Sequence, residues 1–187
     1  MLAILVCERC FVMGSAVSLV ARNKSARAIT HLWQEVSGFE TSPSMPTLNY
    51  PPHFTFAMFE HVTGAQLKRQ LNEVFKRTKP VRVTFDKIKF FDVEPMVVWA
   101  APVQVPRLLA LHHEIHGQVD AAKCRANYLP GKWHPHCTLA TQIDPANREA
   151  VLRYINAEIG EFDVIFNSIE IIEFSPIEVI KQWRLDL

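Results

Sequence analysis

The sequence predicts an α+β (α/β) domain of two similar βαββ-type lobes related by an approximate twofold, and three observations predict it. Apolar residues switch repeatedly between a period of two and a period near 3.6, the pattern of strands interleaved with helices. Val81 to Met96 aligns without gaps on Phe162 to Ile177, 81 residues further on. That offset pairs Val83 with Val164, Phe85 with Phe166, Ile88 with Ile169 and Pro95 with Pro176, and sets Asp86 beside Asn167 and Asp92 beside Glu173. A second matching pair, Pro52-His53-Phe54-Thr55 and Pro135-His136-Cys137-Thr138, lies 83 residues apart, nearly the same offset. Internal periodicity outranks any single element in deciding an architecture.

The elements follow in order. Residues 1–12 read as an appendage ahead of the first strand, Ala16 to Ala21, within one bilobal domain over 1–187. Ala26, Ile29, Trp33 and Val36 fall at helical spacing, with Gly38 as the stop. Prolines at 43, 46, 51 and 52 exclude helix from the next stretch. His53 to Phe59 alternates as a strand, and Thr63 to Arg77 is an amphipathic helix carrying Leu67, Leu71, Val74 and Phe75. Strands follow from Val81 towards Phe90 and at Val97 to Ala100, then a long helix from Val105 to Cys124. Lys123 to Lys132 is a polar loop and His136 to Ala140 a strand. Asp144-Pro145 is an N-cap with proline at the first helical position, and the helix it opens buries Val151, Leu152, Ile155 and Ile159. Phe162 to Phe174 and Glu178 to Leu185 are two closing strands.

Composition narrows the function. Twenty Lys and Arg against 19 Asp and Glu leave no global field for a long nucleic-acid or membrane footprint, so an anionic ligand must be caught by a local cluster of donors. No apolar run is long enough for a membrane span, and Glu8 and Arg9 interrupt the apolar start, so a cytoplasmic protein is expected. Cys7-x-x-Cys10 has no second half to complete a zinc site, and with Cys124 and Cys137 it reads as reduced thiols. His112 and His116 are i and i+4 on a helix, a spacing zinc uses, but Gly117 breaks the His-Glu-x-x-His pattern. They read as a polar helix face; neither metal nor cofactor is expected.

The chemistry rests on the two His-x-Thr segments. In a strand, residues i and i+2 share a face, so His53 emerges with Thr55 and His136 with Thr138. Either segment alone is what any structural strand histidine looks like. Matching positions in a duplicated unit instead suggest two imidazoles and two hydroxyls around one space. Phosphoester hydrolysis needs that set: one imidazole takes the proton of the attacking oxygen, the other supplies one to the leaving oxygen, and the hydroxyls bind non-bridging oxygens.

Pro52-His53-Phe54-Thr55-Phe56 and Trp133-His134-Pro135-His136-Cys137-Thr138-Leu139-Ala140, with the element order from Ala16 to Leu187, resemble the 2H phosphoesterase superfamily and, within it, the 2′-5′ RNA ligase-like proteins. The resemblance implies antiparallel sheets of two lobes lining a central cleft. It also implies metal-free catalysis by His53, His136, Thr55 and Thr138 on 2′,3′-cyclic phosphates of RNA ends or nucleotides, opened to 2′-phosphomonoesters. Members that join RNA ends often carry arginine just after the second motif; Thr141 stands there, so that phosphate contact is either missing or supplied from elsewhere, with Arg125, Lys132 and Arg184 as candidates. Tyr128 and Trp133 are candidates to stack on a base. The protein is expected to be a monomer acting on a small nucleotide or RNA end. Two alternatives stay open: a phosphodiesterase for another small cyclic ester, and a non-catalytic nucleotide- or RNA-binding module of the same fold.

Overall fold

A computed structural model describes residues 14–157, 159–174 and 176–186. The expected appendage at 1–12 and the Cys7–Cys10 pair lie outside those residues. The chain order is β1 (Gly14–Val20), α1 (Arg27–Ser37), α2 (Ser44–Thr47), β2 (His53–Glu60), α3 (Gly64–Arg77), β3 (Val81–Phe91), β4 (Val97–Pro102), α4 (Pro106–His116), β5 (Cys137–Ala140), α5 (Arg148–Ile155), β6 (Phe162–Phe166), β7 (Ser168–Phe174) and β8 (Glu178–Arg184). Two four-stranded antiparallel sheets result, ordered β2-β1-β7-β8 and β5-β4-β3-β6. No helix among the described residues is long and apolar enough to cross a membrane.

The sequence repeat becomes a symmetry of pairing. β3 and β6 run antiparallel with Val83 opposite Val164, Val81 opposite Phe166 and Phe85 opposite Phe162. Since Val83 and Val164 are also repeat equivalents, the approximate twofold passes between them. Both long segments then change partner at equivalent positions. β3 shifts register between Phe85 and Lys87, bulging at Asp86, and continues against β4. The segment 162–174 breaks at Asn167, the equivalent of Asp86, and β7 crosses to the other sheet. Asn167 anchors that crossing: its amide donates to Val20 O at 3.0 Å, and its carbonyl accepts from Leu185 N at 3.0 Å. The single closing strand expected over Phe162 to Phe174 is therefore two strands in different sheets. Each lobe combines residues from both ends of the repeat.

One apolar core serves both sheets. Phe54, Phe56, Leu19, Ile169 and Ile171 from the first sheet and Phe85, Ile88, Val164, Phe166 and Leu139 from the second are at most 3% exposed and belong to one cluster. The repeat mates Phe85 and Phe166 meet with ring centroids 6.4 Å apart, and Phe54 lies 4.8 Å from Phe166. Helix α3 covers the first sheet with Leu67, Leu71, Val74 and Phe75 and begins at a capping box between Thr63 and Gln66, which satisfies two free backbone amides.

Three further elements differ from expectation. Proline does not exclude helix between residues 41 and 52: Ser44–Thr47 makes one helical turn, with Ser44 N held by Glu40 Oε2 at 2.9 Å. The helix expected to reach Cys124 stops at His116, capped by Gly117, and Asp120 opens a separate 3-10 turn at Ala121–Lys123. The chain turns away there because Arg125 N pairs with Met58 O at 2.9 Å along the end of β2. Asp144 caps a 3-10 turn, Pro145–Asn147, which runs into α5; Ile159 packs on the core from beyond that helix.

Candidate active site

β2 and β5 are the edge strands of their sheets, and they lie against one another. His53 begins β2, and His136 immediately precedes β5. The Cys137 thiol, pushed up to about 12 by burial, sits against the backbone amide of His53. One motif therefore starts where the other does. His53 lies opposite Val20 and Thr55 opposite Ser18, so the first imidazole and hydroxyl share a face. Thr138 lies opposite Trp99 on the facing sheet, and alternation puts His136 on that side too.

Both imidazoles are oriented in the same way. His53 Nδ1 is 2.8 Å from Pro51 O, and His136 Nδ1 is 2.6 Å from His134 O. A carbonyl only accepts, so in each neutral ring Nδ1 carries the proton and Nε2 is the basic nitrogen. Burial pulls both rings below the ordinary histidine value. For His53 the Pro51 carbonyl and the Glu170 carboxylate oppose that pull. His136 falls to about 4: burial pulls it down against the His134 carbonyl, and repulsion from His53 and His134 adds to the pull. The pair therefore rests neutral at pH 7 in the free protein, and the Glu170 carboxylate favours the charged form of His53.

The two walls differ in chemistry. Continuing from Thr55 across the first sheet, the row reads Ser18, Glu170, Gln182. Glu170 is fully buried and held by Arg22, whose Nε and Nη2 both reach it, the latter at 3.0 Å. Such a two-pronged pair is what a buried carboxylate requires. Arg22 lies over Tyr50, 6.0 Å from its ring, and Tyr50 meets His53 edge-on at 4.9 Å. On the second wall, Phe91 and Trp99 stack at 5.1 Å, and His136 stands edge-on to both, at 5.1 and 5.9 Å.

The other candidates scatter. Arg125 pairs with Glu60 at the far end of β2, seven residues from His53 or about 23 Å along the strand, and does not serve the motif. Trp133 is 7% exposed, stacks on His112 at 4.3 Å and donates its indole N–H to Thr55 O at 2.9 Å, so it caps the strand edge and offers no face to a base. Tyr128 is half-buried against the core, and its carbonyl meets His112 Nε2 at 2.7 Å. Lys132 and Arg184 are exposed; Lys132 contributes its carbonyl to His134, and Arg184 lies opposite Ser168, three strands from His53. Thr141, standing where the arginine was missed, gives its amide to Glu40 Oε1 and Ser44 Oγ, both at 3.0 Å. His112 and His116 are buried rather than on a polar face, and their Nε2 atoms point at carbonyls. No metal-holding group of three or more His, Cys, Asp or Glu occurs among the described residues.

Arg22, Tyr50, Glu170, Phe91 and Trp99 were not picked out from sequence. The signal available was periodicity: Ser18, Val20 and Arg22 lie on one face of an extended segment, as do Lys87, Lys89 and Phe91. Which strands neighbour the motif is information the linear pattern does not carry.

Comparison with known proteins gives the same architecture. The structure of E. coli LigT complexed with 3′-AMP superposes with a TM-score of 0.63 at 18% identity, covering 94% of this chain and 99% of that one. A phosphoesterase crystal structure gives 0.59 at 18% identity over 94% and 99%. The TT0787 protein of Thermus thermophilus gives 0.56 at 18% identity over 92% and 98%. No curated protein matches the sequence. The family model of the 2′-5′ RNA ligase superfamily matches residues 23–175, most of the chain, and the protein belongs to that superfamily of 2H phosphoesterases.

Proposed function

We propose that the protein hydrolyses 2′,3′-cyclic phosphates on RNA ends or nucleotides, with His53 and His136 as acid and base and without metal. The observation that carries this reading is the matched pair of imidazoles at abutting strand ends, each tied through Nδ1 to the carbonyl two residues back. That tie leaves both Nε2 atoms for proton transfer at one phosphate. His136, driven to about 4, is suited to stay neutral and take the proton of an attacking water. His53 has the Glu170 carboxylate to favour its charged form. It protonates the departing 3′ oxygen as the phosphorus–oxygen bond breaks, leaving a 2′-phosphomonoester. Thr55 and Thr138 donate to the non-bridging oxygens. Arg22, beside Tyr50 and His53, supplies the cation that Thr141 does not.

Nucleotides as ligands accord with the relatives, since E. coli LigT has been crystallised with 3′-AMP, ATP and NADP+. The direct test is turnover of adenosine, guanosine, cytidine and uridine 2′,3′-cyclic phosphates and of cyclic-ended oligoribonucleotides, in EDTA, with the product phosphate located by NMR. The expected result is 2′-phosphomonoester formed at the same rate with or without chelator. Nucleotide binding without turnover would make the protein a binding module. Turnover confined to cyclic esters lacking a nucleoside would favour the other enzymic alternative.

A further inference from the structure

We infer that the second wall of the cleft is a nucleobase platform, with Phe91 stacking the base and Lys89 meeting the phosphate on its 5′ side; this rests on the phosphoesterase reading of the two histidines. The ladder sets Thr138 opposite Trp99 and Trp99 opposite Lys89, with Phe91 opposite Val97. Directly opposed residues share a face, so Thr138, Trp99, Lys89 and, two residues on, Phe91 present one surface next to His136. Basic side chains interleaved with aromatic rings on a sheet are how single-stranded nucleic acid is held without a large charged footprint. Near-neutral net charge fits a footprint of one or two nucleotides.

Three details separate this surface from ordinary packing. Phe91 stays partly exposed although it stacks on Trp99 within 28° of parallel and meets the His136 ring at 5.1 Å, so part of an aromatic ring is open beside a candidate catalytic residue. Tyr50, the corresponding aromatic beside His53, is 4% exposed and offers no such face. Trp99 Nε1–H is buried without a partner among the described residues, whereas indole N–H groups in protein interiors are normally satisfied. Lys89 is exposed, with its ammonium 6.0 Å above the Trp99 ring, while its neighbour Lys87 is already tethered to Asp86. The ligand class is a ribonucleotide carrying a base and a 5′-side phosphate.

The experiment compares adenosine 2′,3′-cyclic phosphate with glycerol 1,2-cyclic phosphate, which has the reacting group and no base. In Phe91→Ala the ratio of kcat/KM for the two should fall roughly 5- to 150-fold, the range of base–aromatic stacking, with the loss in KM. Phe91→Trp should keep the ratio. An equal loss on both substrates would mean that Phe91 only supports His136, and an unchanged ratio would mean that no base sits there; either overturns the platform. Calorimetric titration with AMP and with ribose 5-phosphate tests it independently of turnover. Wild type should prefer AMP, Phe91→Ala should lose that preference, and Lys89→Gln should weaken both ligands. No preference for AMP in the wild type would overturn the platform even if the cyclic phosphates are hydrolysed. A preference lost in Phe91→Ala would uphold it even if they are not.

Discussion

The indole N–H of Trp33, on α1, donates to the main-chain carbonyl of Thr138 at 2.9 Å. Trp133 does the same for Thr55, also at 2.9 Å. Both threonines lie on edge strands, whose outward carbonyls have no neighbouring strand among the described residues to satisfy them. Two tryptophans, one on a helix and one on a loop, thus close the open edges that carry the two motifs. Trp33→Phe keeps the ring and removes the donor. It should lower stability by about 1–3 kcal/mol, the cost of leaving a buried acceptor unpaired. Turnover should fall with it because Thr138 moves. Urea unfolding alongside kinetics checks this, and a stable variant with wild-type kcat would show that the bond does not position the motif.

Arg22 is held by Glu170 yet remains partly open, with a side chain 38% exposed. Arg22→Lys keeps a charge but loses the planar fork. Inorganic phosphate should then inhibit turnover about 10- to 150-fold less tightly, the worth of one hydrogen bond to a charged group. An unchanged inhibition constant, with the protein folded by circular dichroism, would assign Arg22 to neutralising Glu170 alone.

Catalysis by an acid and a base needs the singly protonated pair, whose population peaks between the two apparent values of the pair. Burial depresses both histidines from 6.5. The kcat/KM profile should therefore be bell-shaped with its optimum below pH 6.5. An optimum above pH 8 would exclude these two groups.

His112 is buried and driven down to about 4. Unfolded, it binds a proton near pH 6.5, so between that value and about 4 the unfolded state holds more protons and stability falls as pH falls. The loss from this group should be a few kcal/mol, complete near pH 4 and absent above pH 7. His112→Gln should flatten that segment of the stability curve measured by urea midpoints. An unchanged slope would place the acid sensitivity in other groups.

Much of this was legible in the sequence where the cause is local. Period-two alternation puts His53 with Thr55 and His136 with Thr138 whatever the sheet order, and the 81-residue offset anticipates the Val83–Val164 axis. What was not legible depends on which strands become neighbours. The partner change at Asn167 carries Ser168 and Glu170 into the first sheet, beside a motif more than a hundred residues away. Within Phe162 to Phe174 only the adjacent polar pair Asn167-Ser168 marks that change, in a segment that also carries Asp163, Glu170 and Glu173. Trp133 looked available for stacking because it precedes the second motif; its burial follows from an edge carbonyl on the first. The helix from Val105 failed at Gly117, since apolar spacing through Val119 continues past the point where the backbone turns.

The proposed coupling of His53 and His136 into one proton-transfer unit is tested most directly by a double-mutant cycle on adenosine 2′,3′-cyclic phosphate. His53→Ala and His136→Ala should each lower kcat about 10²- to 10⁴-fold, the usual scale for a general acid or base. The double variant should be scarcely slower than the worse single, because removing either partner already disables the coupled transfer. Losses that multiply in full, or a single variant that turns over at the wild-type rate, would contradict that coupling.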